Sequence, residues 1–233
     1  MDGYIVNNGK NEIIEVEQTK YRRLAIKTHI ITDSDDICDV AVKYAKPSLQ
    51  KGDILFITEK IVGCTQGRAI KIKDVKPRKL AVYLSKRVIR TNYGIGLAMP
   101  ETMEMALREC GTLRILFAAA CSVIGKKIFK KSGWFYIVAG NKARTIDGPC
   151  DCTIPPYNEY VSLSPAKPNK VAKQVSKALD GTDVIITDIN DIGGNILGAS
   201  SKNIDRNLMV KILKDNPLGQ SSEQTPMGII RKA

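Results

Sequence analysis

Apolar residues recur along this chain in two periods, and the alternation between them predicts an α/β protein. Residues 21–31 (YRRLAIKTHII) end in β-branched residues and predict a strand. Thr32-Asp33-Ser34 then offers capping side chains ahead of Ile37, Val40, Ala41 and Tyr44, whose spacing predicts a helix that Pro47 ends. Lys51-Gly52-Asp53 reads as a turn, and the unbroken apolar run Ile54–Thr58 as a buried strand. Strand, helix, strand in this order predicts a mixed or parallel sheet with crossover helices.

The remainder continues the pattern. Helices are predicted over 77–90, Pro100–Cys110 and 113–129, the last with Ala118-Ala119-Ala120 permitting close packing. Trp134–Ala139, aromatic and β-branched, reads as a strand, and 140–156 as a loop. A helix over 165–179 leads to a strand at 183–187 and a polar, Gly-rich loop at 188–194. A short helix at 206–213, a polar loop at 216–226 and a strand at 227–230 close the sequence. With no internal repeat or low-complexity linker, residues 1–233 read as one intertwined α/β (α+β) domain, which two lobes would also satisfy.

Composition narrows the function classes. The 233 residues carry 36 Lys and Arg against 24 Asp and Glu, hence 36 − 24 = +12, with 43% hydrophobic residues. That mix suits a globular protein drawn to anions. The cations are scattered and their densest runs, 71–79 and 126–131, lack interleaved aromatics, so a dedicated nucleic-acid reader is not expected. The first eleven residues are polar and lack a signal-like apolar core. The longest apolar run, 115–125, is about half the ~20 residues that span a bilayer and reads as a buried helix, not a membrane segment. A cytoplasmic protein with six reduced cysteines is the resulting expectation, and one His offers little to complete a zinc site at Cys150 and Cys152.

Candidate chemistry gathers where strands end, as ligands do in α/β sheets. Asp188 follows an apolar strand, with Asn190 and Asp191 beside it; these hard oxygens suit Mg²⁺ or Mn²⁺, and Gly193-Gly194 would let a phosphate approach the backbone. A turn rich in Asp and Asn explains the same residues. Asp147, in Asp-Gly-Pro, is a second candidate ligand or a plain turn residue. Glu59 and Lys60 follow the strand Ile54–Thr58, and Lys60 or Arg68 would serve a phosphate, with Gly67 leaving backbone room. The Walker phosphate loop is absent. Gly219, Gln220, Glu223 and Gln224 lie in a polar loop that reads as a nucleotide clamp or as surface. His29, the sole His, is assigned a structural or ligand-contacting role.

Four segments, in order, resemble the coenzyme F-420 γ-glutamyl ligase family. They are residues 25–45 (AIKTHIITDSDDICDVAVKYA), 52–68 (GDILFITEKIVGCTQGR), 138–156 (VAGNKARTIDGPCDCTIPP) and 184–198 (VIITDINDIGGNILG). The resemblance implies an intertwined α/β homodimer. It also implies a GTP- or ATP-dependent amide ligase in which the nucleotide phosphorylates a carboxylate and an amino acid, classically L-glutamate, attacks the acyl phosphate. Mg²⁺ or Mn²⁺ would bridge the phosphates, with K⁺ as a further ion. Asp188 would ligate metal beside Asn190 at the phosphates. Thr28, His29, Ile30, Ile31, Glu59 and Lys60 would lie near the nucleotide, with Lys60 and Arg68 as catalytic cations and residues 216–226 as a closing loop.

The chain departs from that pattern in places. The family's Ser-Lys-Ala-Glu-Gly-Arg stands here as Gly63-Cys64-Thr65-Gln66-Gly67-Arg68, and its Asp-Thr as Asp188-Ile189. Asp147 matches by motif and not by register. A non-catalytic nucleotide- or metabolite-binding protein on the same fold is the alternative these departures support.

Overall fold

The computed structural model describes residues 4–88, 96–130, 133–151, 153–190, 193–219 and 222–233. Among them the strands are β1 (Ile13–Val16), β2 (Thr19–Ile26), β3 (Ile54–Thr58), β4 (Ala69–Lys71), β5 (Tyr160–Ser162), β6 (Asp183–Asn190), β7 (Gly193–Ala199) and β8 (Met227–Lys232). The α-helices are α1 (Ile37–Tyr44), α2 (Glu59–Thr65), α3 (Lys79–Ser85), α4 (Pro100–Cys110), α5 (Thr112–Lys127), α6 (Trp134–Ala139), α7 (Asn141–Arg144), α8 (Pro168–Ala178) and α9 (Arg206–Ile212). The chain forms two compact units, one of residues 1–68, 152–154 and 165–233, the other of residues 69–151 and 155–164.

The first unit is built on a six-stranded sheet of order β1-β2-β8-β3-β6-β7. Only β3 and β6 run parallel; the other neighbours are antiparallel. This mixed α+β architecture is the one the sequence pattern predicts. The central β3 (ILFIT) reads as a continuous apolar run because both faces are covered. Leu55 and Ile57 meet α1 and α8 through Val40, Ala41, Val171 and Val175, while Phe56 faces α9 through Met209 and Ile212. Each such fully buried side chain contributes about 1.5–3 kcal/mol. Phe56 pairs with Gly228, and its ring fills the space a Cβ there would need.

Helix ends follow local chemistry. Asp36, not the predicted Thr32-Asp33-Ser34, caps α1, accepting from the backbone N–H groups of Cys38 and Asp39 at 2.7 and 3.2 Å. Asp205 caps α9 in the same way, and Pro168 opens α8 three residues later than the pattern predicts. The turn at Lys51-Gly52-Asp53 forms as expected: Gly52 takes φ +91°, and Arg231 grips the buried Asp53 carboxylate with two hydrogen bonds of 2.7 and 2.8 Å.

The second unit is mostly helical. α3, α4, α5, α6 and α7 surround Leu97, Met103, Leu107, Ile115 and Ala139, beside the short β4-β5 ladder. Trp134–Ala139 is a helix here, against the strand its composition predicts. Gly133 and Gly140 bracket it at φ +95° and +88°, and packing on α5 overrides β propensity. Arg114 secures the end, donating from Nε to the Val138 carbonyl at 2.9 Å. The helix expected to be buried over 115–125 is buried on one side only, at Ile115, Ala118 and Gly125. No helix among the described residues is long and apolar enough to cross a membrane. Cys38, Cys64, Cys110 and Cys121 are free thiols, but Cys150 is disulfide-bonded, which corrects the expectation of six reduced cysteines.

Candidate functional site

One edge of the six-stranded sheet collects most of the predicted residues. Ile26, Met227, Ile57 and Ile186 are successive partners across β2, β8, β3 and β6. Just past this row β2 and β3 give way to Thr28 and Glu59, β6 continues through Asp188, and the chain enters β8 from Gln224 and Thr225. Backbone hydrogen bonds tie these exits together: the Thr28 N–H donates to the Gln224 carbonyl at 3.0 Å, and the Thr58 N–H to the Pro226 carbonyl at 2.9 Å. The Thr187 hydroxyl adds a bond to the Ile57 carbonyl at 3.3 Å. Residues about 200 apart in sequence are thereby fixed at one rim.

Two carboxylates stand there, one just past β3 and one on its neighbour β6. Thr58 and Thr187 are paired in register, and the residues that follow them are Glu59 and Asp188. Glu59 is buried and opens α2, where a negative charge suits the helix N-terminus. Asp188 is half-buried and, by strand alternation, shares the face of Val184 and Ile186. No group of three or more His, Cys, Asp or Glu side chains suited to a metal exists among the described residues. Two hard oxygen donors still fit Mg²⁺ or Mn²⁺, which commonly take one or two carboxylates and complete their shell with water and substrate phosphate.

Residues 188–190 and 193–194 of the polar segment are strand, not the loop their composition predicts. β6 runs through Asp188 to Asn190, β7 begins at Gly193, and Asn190 Oδ1 accepts from the Gly193 N–H at 3.1 Å. Gly194 is required by packing, since a Cβ would lie 2.6 Å from Ile189 Cγ1. Asp191, like Gln220 in the later loop, lies outside the described residues.

α2 carries Lys60, exposed on its first turn, and ends at Gly67 (φ +67°), where the Gly67 and Arg68 N–H groups close on the Cys64 and Gly63 carbonyls. Gly67 therefore serves as a helix stop, and Arg68 begins the exit from α2. Cys64, where the family pattern has Lys, is buried with its thiol on the Ile31 carbonyl at 3.6 Å. Gln66, where the pattern has Glu, binds the Ala166 backbone.

Ahead of α1 the segment Thr28–Ile31 is held from both sides. Thr28 and Ile31 are buried, and Ile30 is exposed. The His29 ring bonds Tyr44 Oη through Nδ1 at 2.8 Å and Asp35 Oδ1 through Nε2 at 3.0 Å. Asp35 also accepts from the Thr32 backbone N–H at 2.7 Å, the main reason its carboxyl is held below the usual range, with His29 reinforcing it. The sequence assigns His29 a structural or ligand-contacting role but not these partners, since Tyr44 is read only as a helix position and nothing singles out Asp35.

The later loop is anchored at its base. Asn7 Nδ2 donates to the Pro217 carbonyl and Thr225 Oγ1, and Thr225 Oγ1 donates to the Leu218 carbonyl at 2.7 Å. Glu223 lies over Gly219, where a Cβ would come within 2.5 Å of its Cδ. Asn7 carried no sequence signal. Asp147 belongs to the helical unit, where its backbone exchanges two hydrogen bonds with Ser162.

A family model described as F420-0:Gamma-glutamyl ligase matches residues 25–193. That span is well over half of the chain and includes the candidates named above except Gly194 and those of the 216–226 loop. Comparison with curated proteins gives no match.

Proposed function

The chain belongs to the F420-0:gamma-glutamyl ligase family, and on that footing we propose that it is a nucleotide- and divalent-metal-dependent ligase joining an amino acid to a carboxylate through an acyl phosphate. The observation that carries this reading is the sheet edge where Thr28 and Glu59 follow β2 and β3, Asp188 lies near the carboxyl end of β6, and Gln224 precedes β8.

In the first step a substrate carboxylate oxygen attacks the γ-phosphorus of GTP or ATP; the bond to the β-phosphate oxygen breaks and the diphosphate leaves. In the second, the amine of the amino acid attacks the acyl carbon, phosphate departs, and the amine nitrogen loses a proton as the amide forms. Asp188 and Glu59 would hold Mg²⁺ or Mn²⁺, which when bound offsets phosphate charge. Thr28 to Ile31 and Gln224 supply backbone for the nucleotide, Asn190 neighbours the phosphates, and Lys60 and Arg68 supply cations. The anchored base of the 216–226 loop gives a fixed hinge for shielding the acyl phosphate from water.

The test is metal-dependent phosphate release from GTP or ATP, screened over amino acids and a carboxylate pool. We expect Asp188→Asn to lower turnover by at least roughly 100-fold with an unchanged melting transition. Phosphate release equal to that of the unaltered protein would overturn the assignment.

A further inference from the structure

The loop that leads into β8 has more buried acceptors at its base than its own donors satisfy. Pro217, Leu218 and Thr225 are buried, and the Thr225 hydroxyl proton goes to the Leu218 carbonyl at 2.7 Å. The Pro217 carbonyl and the Thr225 oxygen still call for a donor from outside the loop. Asn7 supplies it. Its buried Nδ2 donates to the Pro217 carbonyl at 3.0 Å and to Thr225 Oγ1 at 2.9 Å. One amide thus joins the outgoing end of the loop to the returning end.

The segment that bears Asn7 is itself pinned on both sides. Ile5 and Ala25 exchange backbone hydrogen bonds of 2.7 and 3.1 Å, which sets the register of this segment on β2. Lys10 Nζ donates to the Asp215 carbonyl at 2.8 Å, just ahead of the loop. The returning end of the loop then leads to the rim. Gln224, next to Thr225, takes φ +57°, a conformation that a residue other than glycine keeps only where its surroundings enforce it. Its carbonyl accepts the Thr28 N–H at 3.0 Å, so that carbonyl and the start of the Thr28–Ile31 segment are fixed together. Asn7 holds Thr225, Thr225 fixes Gln224, and Gln224 holds Thr28, all within the sheet unit. Asn7 and residues 216–226 lie outside the span 25–193 that matches the family.

We propose that Asn7 is a positioning residue for the nucleotide: by donating to both ends of the loop it fixes the junction of Gln224 with Thr28, and with it the backbone against which the nucleotide lies. The identity of the ligand rests on the ligase reading; the junction does not.

Asn7→Asp keeps the shape of the side chain but turns oxygens, which cannot donate, toward the Pro217 carbonyl and Thr225. Amide hydrogen exchange of this variant should show the Thr28 N–H exchanging roughly 10-fold faster or more, while the amides of β3, a strand paired on both sides, keep their protection. Calorimetric titration with Mg²⁺-GTP and Mg²⁺-ATP should show about 10-fold weaker binding of whichever nucleotide the unaltered protein binds. In turnover the nucleotide KM should rise likewise, with kcat kept within about twofold. Asn8→Ala, at the exposed neighbouring position, should match the unaltered protein throughout. If Asn7→Asp fails to fold, Thr225→Val removes the acceptor with little change of shape and should give the same pattern. Unchanged exchange at Thr28 overturns the proposal. So does faster exchange at Thr28 and in β3 alike, which marks a general loss of stability, or faster exchange at Thr28 with nucleotide affinity unaltered. An unaltered protein that binds neither nucleotide overturns the ligase reading itself, and with it the ligand assigned to the junction, whatever the exchange shows.

Discussion

Gln66 and Ala166 exchange two hydrogen bonds across a hundred residues of chain: Gln66 Nε2 donates to the Ala166 carbonyl at 3.1 Å, and the Ala166 N–H donates to Gln66 Oε1 at 2.7 Å. An amide side chain presents a donor and an acceptor side by side, which a carboxylate cannot. The position where the resembled pattern has Glu is thus used here to fasten the approach to α8 onto the end of α2. Gln66→Glu keeps the acceptor but turns a carboxylate oxygen toward the Ala166 carbonyl. We expect a loss of about 1 kcal/mol at neutral pH, and a smaller loss once the new carboxyl is protonated, below about pH 4. Urea denaturation at pH 7 and pH 4 measures both; equal stability of the two proteins at pH 7 would remove the role given to Gln66.

Much of the sheet was legible in the sequence because its strands are buried on both faces and bounded by turn residues. Ile54–Thr58 and the strand beginning at Asp183 appear where the apolar runs place them. The segments misread are those whose neighbours decide their form. Trp134–Ala139 has strand composition but is a helix because two left-handed glycines cut it to one and a half turns against α5. Residues 188–190 and 193–194 have loop composition but lie in β6 and β7, since pairing of the two strands satisfies their backbone. At the rim, the sequence proposes Asp188 and Glu59 from their place after apolar strand runs. It does not propose Asn7 or Tyr44, because what they do depends on partners 218 and 15 residues away.

In the helical unit Glu104 is the acid most dependent on its partners. Its side chain is 2% exposed and receives Arg108 Nε at 2.8 Å, Arg78 Nε at 3.0 Å and the Arg78 backbone N–H at 3.1 Å. Burial alone would push its carboxyl up, but the hydrogen bonds from Arg108 and Arg78 outweigh that and hold it below the usual range. A carboxyl lowered by folding contributes stability that is present above its unfolded pKa and lost as pH falls through the folded value. Glu104→Gln should therefore cost about 2 kcal/mol at pH 7, with the difference from the unaltered protein narrowing under acid. Thermal melts between pH 7 and pH 3 should converge; a constant gap would show that the charge is not what matters.

Gly198 lies on β7 where α8 begins. A Cβ there would stand 2.4 Å from the Pro168 carbonyl carbon and 2.6 Å from its oxygen, both backbone atoms. Neither neighbour can rotate away, so helix and sheet must separate. Gly198→Ala should destabilise the protein by about 3 kcal/mol, the upper end for overpacking, whereas Gly67→Ala, with open space around it, should show only the smaller cost of its positive φ. Comparable denaturation midpoints for the two variants would contradict the close approach at Gly198.

The bond between His29 and Asp35 permits a separation of causes. Asp35 accepts from the Thr32 N–H and hydroxyl as well as from His29, and the backbone bond is the largest of the influences that lower its carboxyl. His29→Ala should therefore raise the Asp35 pKa yet leave it below that of an ordinary aspartate, while Thr32→Pro, which deletes the N–H, should raise it further. Carboxyl carbon NMR titration of Asp35 reads both shifts directly. Since the folded value is the lower one, the stability Asp35 contributes is present above its unfolded pKa and lost under acid in the unaltered protein. Both variants should lose part of that acid dependence, Thr32→Pro more than His29→Ala. An Asp35 that titrates normally once His29 is gone would make the imidazole, and not the backbone, the group that organises the segment entering the rim.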